Sequence, residues 1–191
     1  MYRNWRDLIK PKKIILEGES STQSYGRFIA EPLERGFGIT LGNSLRRILI
    51  SSLQGAAISS IRIENVSHEF SLLPDVREDV SDILLTLKEV RLKMGTFEPQ
   101  TLLIDSKGPC EVLAKDIICP SSVEILNPDL HIATLNEGGT LKAELLCRMG
   151  RGFIAAGSEE AEELSGIPNG MAVDAIFSPV RKTRINCFEC C

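Results

Sequence analysis

Residues 31–52 read EPLERGFGITLGNSLRRILISS, and the fold turns on that stretch. Its first half is the end of a strand and a turn punctuated by Gly36 and Gly38 on either side of Phe37. Its second half has the pattern of one helix. Thr40 is placed to cap it, with a hydroxyl able to accept from a first-turn backbone N–H. Leu41, Leu45, Ile48, Leu49 and Leu53 then recur at the spacing of a single helical face. Ile50 falls outside that stripe. At about 100° per residue it widens the apolar arc to roughly 200°, about twice an ordinary core-facing stripe. A helix apolar so far round is expected to pack against two surfaces, its own sheet and a neighbouring chain. Asn43, Ser44, Arg47, Ser51 and Gln54 line the remaining arc. Small polar residues around one guanidinium suit a solvated face. The sharper reading is a docking face, because Arg gives up water more readily than Lys and presents a planar fork of donors. Periodicity leaves both open.

Working outward, Lys12–Gly18 and Tyr25–Glu31 read as strands joined by the Ser/Thr-rich loop Glu19–Ser24, a hairpin that feeds the helix. Ala56–Glu64 is a strand with Ile61 and Ile63 on one face and Arg62 on the other. After Leu73-Pro74-Asp75, a second helix is expected over Glu78–Lys88, with Val80, Ile83, Leu84 and Leu87 on one stripe. Asp75, Glu78, Asp79 and Asp82 crowd its start, where the helix dipole favours carboxylates. That role accounts for them without a catalytic acid cluster. Val90, Leu92 and Met94 alternate, Thr101–Asp105 is a short apolar run, and Lys107-Gly108-Pro109 turns. His131–Leu135 is expected to pair with Thr140–Met149 across Asn136-Glu137-Gly138-Gly139, the second strand alternating at Leu141, Ala143, Leu145, Cys147 and Met149. Ser158–Ser165 reads as a short surface helix or ordered loop. Met171–Phe177 and Val180–Ile185 close the chain as two strands broken by Ser178-Pro179.

Composition narrows the function classes. The chain has 191 residues, 43% apolar and 25% charged, with a net charge of −4 and a pI near 5.4. A chain of this length buries about 70% of its unfolded surface. The acidic balance argues against a general binder of phosphate backbones. No apolar run approaches the ~18 residues of a membrane span, and MYRNWRDLIKPKK lacks the apolar run of a signal peptide. A cytosolic protein is expected, with its six cysteines reduced. Cys110, Cys119 and Cys147 read as buried small hydrophobes. Cys187, Cys190 and Cys191 form C-x-x-C-C, but no second C-x-x-C or His pair lies near to complete a zinc site. An incidental tail is the better account, and no metal or other cofactor is expected.

Catalytic motifs are missing too. Gly36, Gly38 and Gly42 are spaced G-x-G-x-x-x-G, with no following Lys-Ser or Lys-Thr and no βαβ unit, so turn geometry explains them. His68 and His131, the two histidines, flank no Ser or Cys nucleophile in a known pattern. No D-x-D cluster stands ready for two Mg²⁺.

The quoted stretch resembles the first dimerisation helix, with its lead-in, of the alpha subunit of bacterial DNA-directed RNA polymerase. The likeness runs in order from about Ile9 to Ile185 and includes His68-Glu69-Phe70, Gly150-Arg151-Gly152-Phe153 and Ser178-Pro179-Val180. It implies an α+β fold of mostly antiparallel sheets. It implies a discontinuous dimerisation domain at 1–55 and 172–191, with a strand-rich insert at 56–171 contacting the large subunits. It implies a non-catalytic homodimer that scaffolds the beta and beta-prime subunits. On this resemblance Arg46 and Arg47 meet the beta subunit, on a surface shaped by Glu34, Arg35, Gly36 and Phe37. Leu41, Leu45, Ile48, Leu49 and Ile50 fill the core and the dimer interface. Gly150, Arg151 and Gly152 match a segment near the large-subunit contacts, and His68 with Glu69 reads equally as a paired surface couple. The likeness stops at Ile185-Asn186, where the family continues with a second dimerisation helix, a linker and a DNA-binding domain. A shortened chain is therefore expected, without direct DNA binding and with weakened dimerisation. The alternative is a remnant acting as a stand-alone protein-binding module.

Overall fold

The computed structural model describes residues 8–18, 21–158 and 166–188. The chain forms two compact units, Met1–Ile48 with Lys182–Cys191, and Leu49–Arg181.

In the first unit, β1 (Ile14–Leu16) and β2 (Phe28–Ala30) form an antiparallel hairpin, with Ile14 opposite Ala30 and Leu16 opposite Phe28. Both strands are shorter than the sequence reading. The helix α1 (Phe37–Ser51), whose last residues from Leu49 belong to the second unit, begins earlier than a cap at Thr40 would have it. Gly36 supplies the turn at φ +83°, a conformation that costs glycine little. Phe37 N–H then donates to the Glu34 carbonyl at 3.0 Å. Thr40 therefore lies inside the helix, where its hydroxyl donates back to the Gly36 carbonyl at 3.5 Å instead of capping. At the other end Leu53 lies beyond the helix and Gln54 opens the next strand, so neither extends the helical arcs.

Gly38 and Gly42 are also inside α1, which corrects the turn reading for both. A Cβ on Gly42 would sit 2.7 Å from Ile185 Cγ2, and one on Gly38 3.2 Å from Cys187 Sγ. The glycines let the 182–188 segment lie against the helix. No strand forms over Val180–Ile185, contrary to the sequence reading.

The second unit is built on β3 (Gln54–Ile63). One edge of β3 pairs with β9 (Thr140–Arg151), the other with β4 (Leu92–Met94) and β11 (Met171–Ala172), all antiparallel. β5 (Gln100–Lys107) lies beyond β9, and β7 (Val123–Ile125) beyond β4. A bulge between Ile58 and Ser60 shifts the register, so that Ile58 and Ile61, an odd number of residues apart, are both buried. α2 (Val80–Leu87) buries Val80, Ile83, Leu84 and Leu87, the stripe read from sequence. These side chains join Leu102, Ile104, Leu141 and Leu145 in one core. The fold is α+β and mostly antiparallel.

Three expectations fail here for physical reasons. His131–Leu135 is a strand, β8, but it pairs with β6 (Cys110–Leu113) rather than β9. Asn136 N–H donates to the Asp75 carbonyl at 2.8 Å, so the Gly-Gly connection crosses between sheets instead of closing a hairpin. Alternation fixes which face is buried, not which strand is the neighbour. Met171–Phe177 is not one strand: β12 (Ala175–Ile176) leaves β3 to pair with β10 (Phe153–Ile154). The break is held at Asp174, whose carboxylate accepts from Lys88 Nζ at 2.7 Å and Ala156 N–H at 2.8 Å. Cys110 is exposed and Cys119 only half buried, leaving Cys147 as the buried cysteine of the three. The Ser158–Ser165 reading, apart from Ser158, lies outside the described residues, as do Cys190 and Cys191. No helix among the described residues is long and apolar enough to cross a membrane.

Candidate partner-binding surface

α1 buries none of its residues. Ile39 is 60% exposed, Leu41 44%, Leu45 52%, Ile48 51% and Ile50 40%, while Leu49 is half buried. None of them joins the core of the chain, which corrects the expectation that they share that role with an interface. Apolar side chains on a regular helix normally reach burial, so this face is an apolar surface that the pattern built and that the other described residues leave uncovered. Ile39 went unnoticed in the sequence because the cap was placed at Thr40. It stands eleven residues before Ile50, which at about 100° per residue puts the two within about 20° on the helix wheel.

The lead-in residues are held by local bonds. Glu34 N–H donates to the Ile9 carbonyl at 3.1 Å, and the Ile9 N–H donates to Glu34 Oε2 at 3.2 Å. Glu34 is thus half buried and ties the N-terminal segment to the start of α1. Arg35 is exposed, Gly36 makes the turn, and Phe37 is half buried at the first helical position. Arg46 and Arg47 are both exposed. On the polar arc Ser44 Oγ donates to the Thr40 carbonyl at 2.9 Å, which leaves the arginines as the long charged groups of the helix.

Gly150, Arg151 and Gly152 lie in the second unit. Gly150 and Arg151 end β9 opposite Gly55 and Gln54, and the Gly152 carbonyl accepts from Phe177 N–H at 2.9 Å. A Cβ on Gly150 would meet the Phe177 ring at 2.8 Å. Packing of Phe177 is thus sufficient reason for Gly150, and Arg151 is the exposed member of the three.

Other polar groups are structural. His68 Nδ1 lies 3.2 Å from Ser71 Oγ, so its partner is Ser71 and not Glu69. Glu78 is not a dipole cap. Its carboxylate accepts from Thr134 N–H at 2.6 Å and from Thr134 Oγ1 at 3.0 Å, fastening the start of α2 to β8. Burial pushes its pKa up, but the two Thr134 bonds and nearby His131 outweigh that and hold it below the ordinary carboxylate value. Burial, with Cys119 nearby, pushes the Cys147 thiol up to about 11, so it is a packing group and not a nucleophile. Among the described residues no group of three or more His, Cys, Asp or Glu could hold a metal ion.

The family model described as the RNA polymerase Rpb3/RpoA insert domain matches residues 61–178, inside the second unit. The DNA-directed RNA polymerase subunit alpha of Geobacter metallireducens is 55% identical over 183 residues, 95% of this chain and 53% of the relative. That of Desulfosudis oleivorans is 54% identical over 183 residues, with the same shares. The chain spans about half the length of the curated relatives it matches.

Proposed function

The chain belongs to the RNA polymerase Rpb3/RpoA insert-domain family, and from that premise we propose that it serves as an alpha subunit of DNA-directed RNA polymerase. In this reading it is a cytoplasmic, non-catalytic part of a nucleotidyltransferase. It dimerises through α1 and scaffolds the beta and beta-prime subunits. The observation that carries the proposal is α1 itself, regular and amphipathic yet with no buried residue. Obligate homodimer interfaces resemble a core cut in half, and Leu41, Leu45, Ile48, Leu49 and Ile50 supply half of such a core. The dimerisation domain comprises 1–55 and 172–191 and the insert 56–171. Support for a discontinuous domain comes from the first unit, which combines residues from both ends of the chain.

The beta subunit is assigned to Arg46 and Arg47, with Glu34, Arg35, Gly36 and Phe37 shaping the approach. Arg151, with Gly150 and Gly152 beneath it, is a further large-subunit contact. Arginine anchors are common among interface residues whose truncation costs about 2 kcal/mol or more. Arg47→Ala is therefore expected to weaken capture of the beta subunit about 30-fold, with the melting temperature within about 1 °C of wild type because the residue is exposed. Co-purification with tagged beta subunit at graded concentrations reads the first quantity, and thermal unfolding the second. Undiminished capture would overturn the assignment.

A further inference from the structure

Within the first unit an open cleft of about 400 Å³ runs along α1, lined by Asn43, Arg46, Thr183, Arg184 and Cys187 among others. It exists because Gly38 and Gly42 admit the C-terminal segment so close to the helix. Its size lies within the range of small-molecule pockets, about 300–1,000 Å³.

Three observations bear on what it holds. Arg46 and Arg184 form no ion pair among the described residues. No carboxylate lines the cleft, although the chain as a whole is acidic. Thr183 Oγ1 is buried and has no hydrogen-bond partner, a state that costs free energy until an acceptor arrives. Asn43 and Arg46 from α1 and Thr183 and Arg184 from the C-terminal segment thus line one cleft, with no carboxylate among the lining residues.

We propose that this cleft binds a phosphate-class oxyanion. A carboxylate is satisfied by one guanidinium fork, whereas a tetrahedral dianion accepts from two forks and still has oxygen for Thr183 and Asn43. A nucleic-acid backbone is disfavoured, because the chain is acidic overall, with a net charge of −4. Inorganic phosphate and the phosphate of a small phosphomonoester share the required chemistry. The site shares Arg46 with the beta-subunit contact proposed above, and its test reads the unassembled chain, independently of that contact.

Cys187 is an exposed thiol on the cleft wall, and exposed Cys110 lies in the other unit as an internal reference. With the full chain, maleimide labelling is followed by peptide mass mapping during titration with inorganic phosphate at constant ionic strength. Phosphate is expected to slow labelling of Cys187 saturably and leave Cys110 unchanged. Arg184→Ala should raise the half-protecting concentration at least about tenfold, and Arg181→Ala, outside the cleft lining, should leave it within about twofold. Thr183→Val, which removes one donor and no charge, should also raise it, and supplies the test if Arg184→Ala fails to fold. Glycerol phosphate in place of phosphate distinguishes the two sources: stronger protection by the ester assigns a metabolite, stronger protection by phosphate the free ion. Three results would overturn the proposal: no protection by either, equal losses in Arg181→Ala and Arg184→Ala, or better protection by a glutamate peptide or an oligonucleotide.

Discussion

The two units use similar apolar residues in opposite ways. In the Leu49–Arg181 unit, α2 and the β3–β9–β5 strands turn every periodic stripe inward, and Leu102, Leu141 and Leu145 are completely buried. In the other, β1, β2 and the part of α1 it contains contribute nothing to the buried core among the described residues. Hydrophobic pattern alone therefore does not locate a core. The pattern says which face must leave water, and whether this chain or another covers it is a separate fact. A single substitution made once in each unit separates the two cases.

The largest contrast is expected from leucine truncation. Leu145→Ala opens a cavity between β3 and β5 and should cost about 2–5 kcal/mol. Leu45→Ala, the same change on α1, should shift the stability of the dilute, unassociated chain by about 0.5 kcal/mol or less, as for an ordinary surface position. Urea unfolding at low protein concentration measures both. Comparable losses would mean that α1 is covered within its own chain, and the contrast between the units would collapse.

Next in size is the effect on association. Leu45→Asp places a carboxylate at the middle of the exposed apolar face, and burying an unpaired charge is costly. Self-association should weaken by more than tenfold, about 1.4 kcal/mol, with circular dichroism unchanged. Sedimentation velocity over a dilution series decides it. A variant that associates as well as wild type would remove α1 from the dimer interface.

An effect of similar size sharpens the reading of the glycines. Gly150→Ala forces the Phe177 ring to shift, and overpacking of this kind costs about 1–3 kcal/mol. If Gly150 were kept only for contact with a partner, the isolated chain would unfold at the wild-type urea concentration.

How much of this was legible in the sequence follows the same division. The α2 stripe at Val80, Ile83, Leu84 and Leu87 was plain, because a local period fixes a buried face. The antiparallel, α+β character came with the family resemblance. The partner of β8 was not legible, because a Gly-Gly connection after an alternating run looks the same whether it closes a hairpin or crosses between sheets. The start of α1 was misplaced because Thr40 is a good cap by type, while the turn actually rests on the positive φ of Gly36. Gly38 and Gly42 have the spacing of turn residues, and nothing local announces that Ile185 and Cys187 will lie against them. For the candidate surface, the breadth of the apolar arc was visible from Leu41 to Ile50. That none of it is buried was not, because exposure depends on contacts distant in sequence.

The finest of these tests concerns Glu78, whose acidic neighbours in sequence hid a specific job. Its carboxylate holds Thr134 by two hydrogen bonds, and its folded pKa lies below the ordinary carboxylate value. The unfolded chain therefore takes up this proton at higher pH than the folded one. The stabilisation is fully present above the unfolded pKa and is lost as pH falls through the lower, folded pKa. Asp174, held by Ala156 N–H and Lys88, titrates with the same sign, so the wild-type curve alone does not isolate Glu78. Subtracting Glu78→Gln does. The amide still accepts from Thr134 but carries no charge, and at about pH 7 the variant should be less stable by about 1 kcal/mol. That deficit should hold constant above the ordinary glutamate pKa and shrink as pH falls through the lower, folded one. A deficit that stayed constant or grew on acidification would show that the carboxylate's charge does not fasten α2 to β8.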